Sequence, residues 1–83
     1  MKTFYIKDSS IKVRKSNRDY KFVLLRQSEV GTYVPCSCHI TKEAAEKEMN
    51  RQISDYKRHP FDFAQWFVPT VKEFYKILEL EAR

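Results

Sequence analysis

The sequence predicts an α+β domain: a small antiparallel sheet of hairpins with one amphipathic helix, about residues 41–58, packed on one face. Three observations predict it. Short N-terminal stretches alternate apolar and polar residues with the period of a strand. One longer segment in the middle repeats its apolar residues with helical spacing. Polar turn clusters separate these pieces. The 83 residues have apolar material for one core only, so residues 1–83 are read as a single domain.

Residues 4–7 alternate Phe4 and Ile6 with Tyr5 and Lys7. After an Asp8-Ser9-Ser10 turn, Ile11 and Val13 alternate with Lys12 and Arg14. Strand geometry then sends Ile11 and Val13 to the core and sets Lys12 and Arg14 side by side in solvent. Residues 15–19 are polar loop. The unbroken apolar centre of residues 20–26 predicts a central strand covered on both faces. Gly31, the sole glycine, suits the reversal at 28–31, and residues 32–40 return as the partner strand. Pro35 cannot donate a ladder hydrogen bond, so that strand lies at an edge or is bulged.

Thr41 is a good N-cap for a helix over 42–58, with Ala45, Met49, Ile53 and Tyr56 along one stripe. Lys57 and Arg58 sit in the last turn, where the helix dipole favours cations, and Pro60 ends it. Two readings of the tail, residues 63–82, compete. Thr70 and Glu73 fit a helix capping box. The aromatic and branched residues of 65–71 and 74–80 suit strands that return to the sheet, and the strand reading is preferred.

Several chemistries are set aside. A P-loop or dinucleotide fold needs more glycines than Gly31 supplies. Cys36, Cys38 and His39 form C-x-C-H, but a structural zinc site needs four ligands in paired spacings, and His59 alone could join them. On a regular strand Cys36 and Cys38 share a core-facing row with Val34 and Ile40 while His39 points away, so the expectation is no metal, no cofactor and no disulfide. His39 and His59 could serve as acid and base only if they converged, and nothing in their spacing brings them together. The chain is read as non-enzymatic, with no small-molecule substrate. No run of about 18 apolar residues could cross a bilayer, and MKTFYIKDSS contains no apolar stretch of signal-peptide length. A cytoplasmic protein without a membrane partner is expected.

Charge is the most informative feature. Residues 1–30 carry eight basic residues against three acids, whereas residues 31–83 carry eight of each, so the whole net charge of +5 belongs to the first third. Charge runs are ordinarily solvated surface, but here the cations alternate with core residues and are interleaved with tyrosines. Cations neutralise phosphates and aromatic rings stack on unpaired bases, so the set suits RNA, bound with weak sequence specificity. The candidate nucleic-acid-binding residues are Lys12, Arg14, Lys15, Arg18, Lys21, Arg26, Tyr5 and Tyr20. Phe61, Phe63, Trp66 and Phe67 exceed what one small core can bury and are the candidate dimer or partner interface, so a homodimer is expected.

The chain as a whole, with its opening MKTFYIKD, the strand YKFVLLR, the helix TKEAAEKEMNRQI and the tail FVPTVKEFYKILELE, resembles the small early accessory proteins of T-even-type phages. Within that group it is similar in size and basic charge to the phage-encoded ToxN toxin inhibitors of the TifA type. The resemblance implies an anti-defence protein in the host cytoplasm that binds RNA and a toxin together as a small dimer. The expectation is therefore binding of RNA or a protein–RNA complex through an N-terminal basic face. The alternative is a protein-only inhibitor of a host enzyme, acting through the aromatic C-terminal surface.

Overall fold

The computed structural model describes residues 1–28, 30–58 and 72–83. Two hairpins come first: β1 (Lys2–Ile6) with β2 (Lys12–Ser16), then β3 (Phe22–Gln27) with β4 (Tyr33–His39). Helix α1 (Lys42–Arg58) follows, and after a 3₁₀ turn at Lys72–Phe74 the strand β5 (Tyr75–Ala82) enters the sheet. The order is β2-β1-β5-β3-β4, with every neighbour antiparallel. The preferred strand reading of the tail therefore holds for β5, while residues 65–71 lie outside the described residues.

Local chemistry accounts for each turn. Asp8 takes the left-handed conformation (φ 62°), which a short polar side chain tolerates, and the Ser9 N–H donates to the Ile6 carbonyl at 3.1 Å. Gly31 has φ 87°, and the nearest atom to an added Cβ would be 3.6 Å away, so backbone conformation rather than space calls for glycine. Thr41 caps α1, its Oγ1 accepting from the Ala44 N–H at 3.1 Å.

Two layers of core lie on either side of β3. Leu24 packs against Met49 of α1 and Tyr75 of β5, with Cys36, Ile53 and Ile77 around them. Val23 and Leu25 face the other way, onto Phe4 and Leu80. All three consecutive residues of β3 are buried, which explains the apolar run, although the middle position in the sheet belongs to β5 and not to β3.

Both edge strands carry a bulge, and these correct two expectations. In β2, Arg14 pairs with Phe4 and Lys12 with Tyr5, leaving Val13 as the extra residue. The alternation of side chains is broken there, so Lys12 and Arg14 are not side by side: they leave opposite faces of the sheet. Ile11, expected in the core, lies before the strand and is 57% exposed. In β4, Ser37 pairs with Leu24 and Pro35 with Leu25, leaving Cys36 as the extra residue. Cys36 therefore packs under α1 while Cys38 packs with Phe4 and Val23 on the other side, and the two thiols do not share a row.

Candidate nucleic-acid interface

The ladder assigns every strand residue to one of two faces. The face covered by α1 continues past the helix onto β1 and β2, where it carries Thr3, Tyr5, Lys12 and Lys15, with Glu81 beside Tyr5. The opposite face carries Phe4, Arg14, Leu78, Leu80, Val23, Leu25 and Cys38. The basic residues read as one face are divided between the two. They share an edge instead: β2 and the following turn hold Lys12, Arg14, Lys15 and Arg18 with no acid among them, all exposed. The nearby carboxylate, Asp19, is shared by Lys2 at 3.4 Å and Lys21 at 4.0 Å, so its single charge is taken up there and the edge stays cationic.

The structure thus gathers four of the six candidate cations on one ridge. Lys21 stands next to them but is tied to Asp19. Arg26 does not join them: it is half-buried on the α1 face of β3, paired with Tyr75, whose hydroxyl is pushed up by burial and held back by the Arg26 charge.

Both candidate tyrosines are already covered. The Arg14 guanidinium lies 5.3 Å from the Tyr20 ring centre, and Tyr20 packs edge-on against Phe4 at 5.7 Å. The Arg83 guanidinium lies 4.3 Å from the Tyr5 ring centre and is held there by the Ser9 carbonyl at 2.7 Å and by Glu81. Neither ring is a bare stacking platform; each instead orients a planar cation. A third such pair, missed in the sequence, is Lys76 over Tyr33 at 4.3 Å. Lys76 falls on the same face as Leu78 and Leu80, a signal that becomes readable once 75–82 is known to be a strand.

The sheet curls so far that its two edges face each other. Val13 and Arg14 of β2 and Pro35, Cys36, Ser37 and Cys38 of β4 line one cleft of about 300 Å³. Arg14 reaches the Cys38 thiol across it; burial pushes that thiol up, and the guanidinium partly offsets the rise.

His39 is on the α1 face, its Nε2 2.7 Å from the Ser37 hydroxyl. Cys36 accepts a contact from the Gln52 Nε2 at 3.0 Å on that same side. With Cys38 on the other face, one ion cannot take both thiols. Among the described residues no group of three His, Cys, Asp or Glu side chains is placed to hold a metal, and no helix among them is long and apolar enough to cross a membrane. Phe61, Phe63, Trp66 and Phe67, and with them His59, lie outside the described residues.

Comparison with known proteins finds no matching family model, no matching curated protein and no matching solved structure.

Proposed function

We propose that this chain is a non-enzymatic RNA-binding protein whose contact surface is the basic edge strand β2 and the turn after it. One observation carries the reading: Lys12, Arg14, Lys15 and Arg18 project from one exposed edge while Asp19 is occupied by two other lysines. An edge strand sends side chains to both faces, so these cations form a ridge that can follow a phosphate backbone without reading its bases. Helix α1 is a poor major-groove reader by comparison. Its Arg51 is bound within the helix, bridged to Glu48 and to Asp55, the latter at 2.7 Å.

The resemblance to phage toxin inhibitors extends the reading to RNA held within a toxin–RNA complex in a host cytoplasm, with the chain as a homodimer. Pairing two copies would double the ridge and raise avidity for a long polyanion. Gel shifts with a mixed single-stranded RNA pool test the ridge. The double substitution Lys12→Ala, Lys15→Ala and the single substitution Arg14→Ala are each expected to weaken binding, since the strand presents cations on both faces. Wild-type affinity in both variants at low salt would remove β2 from the function. Light scattering tests the dimer: a mass of twice the 10.0 kDa chain is expected, and the single-chain mass would contradict it.

A further inference from the structure

The cleft between β2 and β4 is absorbed neither by the core nor by the cationic ridge. The described residues that line it are Val13, Arg14, Pro35 and the Cys36–Cys38 stretch, and Arg14 is the one charged residue among them. Among the described residues no carboxylate lines it, and none is carried by the described strand residues on that face of the sheet. We propose that this cleft receives one unpaired base of a bound RNA, which stacks on the guanidinium of Arg14. This rests on the RNA reading of β2 and adds where a base, as distinct from a phosphate, is held.

Four features support it. A volume of about 300 Å³ lies at the small end of ligand clefts, which excludes a duplex and suits a single nucleotide. The Arg14 guanidinium carbon lies 5.3 Å from the Tyr20 ring centre and Arg14 also lines the cleft, so a planar cation already set against one ring is available to a second ring there. The Tyr20 contact holds the Arg14 side chain at the cleft, which lowers the ordering needed on binding. Finally, β4 is an edge strand among the described residues, and its outer side supplies hydrogen-bonding groups. The His39 carbonyl accepts from the Lys21 N–H at 2.9 Å and so points toward β3. Successive residues of a strand turn their backbone to opposite sides, which directs the N–H and C=O of Cys38 toward the open edge, a donor and an acceptor side by side as on a base edge. Lys12, Lys15 and Arg18 stand on the same strand and turn as Arg14, where the flanking phosphates would run.

The experiment uses the full chain with an unstructured single-stranded RNA octamer and a second octamer carrying abasic sugars throughout. Affinities are measured at low salt, and the responding backbone amides are mapped by NMR. The variant is Arg14→Lys, which keeps the positive charge and loses the plane, with its folding checked by its melting curve. Expected is that the normal octamer shifts the amides of residues 13–14 and 36–38. Arg14→Lys should bind it at least about fivefold more weakly, the lower end of one base stack, and leave abasic binding unchanged. Equal binding of the two octamers by the wild type, with no effect of Arg14→Lys, would overturn the cleft as a base site while leaving the ridge as an RNA surface. No binding of either octamer would overturn both. Amides of the cleft that respond to an extended peptide and not to RNA would assign the seam to an added β-strand and also overturn the proposal.

Discussion

Phe4 and Arg14 stand directly opposite each other across the β1–β2 ladder, on the same face of the sheet, one of them 1% exposed and the other at the surface. Tyr20 makes the arrangement possible. Its ring gives Phe4 an edge-on apolar neighbour and gives Arg14 a π face, so a core residue and a surface cation share one column of side chains.

Truncating the two ends of that column should have unequal effects. Phe4→Ala opens a cavity among Val23, Leu25 and Leu80 and is expected to cost about 3–5 kcal/mol, a large share of a small domain's stability. Arg14→Ala loses an exposed cation–π contact, about 0.5–1 kcal/mol, and the contact with the Cys38 thiol, but opens no core cavity. Urea denaturation followed by circular dichroism measures both. Equal losses would mean that Tyr20 does not separate core from surface.

The helix offers a pH test. The hydrogen bond from Arg51 holds the Glu48 carboxyl below its ordinary value, opposed by partial burial and aided by Gln52. A carboxyl lowered in the folded state contributes stability that is complete above the ordinary carboxylate range and is lost as pH falls through it to the lowered value. Wild type should therefore exceed Glu48→Gln in melting temperature at pH 7, and the gap should close on acidification toward pH 3. A gap that widens with acid would reverse the assigned sign.

The two thiols should behave independently. Cys36 and Cys38 lie on opposite faces because of the β4 bulge, so a bridge between them would require that strand to be rebuilt. Mild oxidation of the folded protein is expected to leave the monomer's intramolecular disulfide unformed, and mass spectrometry of the alkylated chain reads this directly. A loss of two hydrogens within one chain, with the fold retained, would place the sulfurs on one side.

Much of the fold was legible because it rests on period and turn chemistry. Residues 42–58 have the bounds of α1, Thr41 caps it, Gly31 turns the second hairpin, and the run through Val23, Leu24 and Leu25 is buried on both faces. The side chains of β2 and β4 were not legible, for one reason in both. An added residue in an edge strand reverses the alternation beyond it, and neither Val13 nor Cys36 is a residue type that announces a bulge, although Pro35 hinted at one. The error carried straight into the candidate site, dividing Lys12 from Arg14. The curl that brings β2 to β4 was invisible for a further reason: it joins residues far apart in sequence whose types, an arginine and a cysteine, carry no mutual signal.

The central claim is that β2 binds RNA through its cations, and the salt dependence of affinity tests it most directly. Each phosphate neutralised on a single strand contributes about −0.7 to the slope of log K against log salt, so Lys12, Arg14, Lys15 and Arg18 together should give a slope of about −3. Replacing all four by alanine should abolish most of that slope while the fold, whose buried core contains none of them, persists. A wild-type slope near zero, or an unchanged slope in the fourfold variant, would contradict the claim.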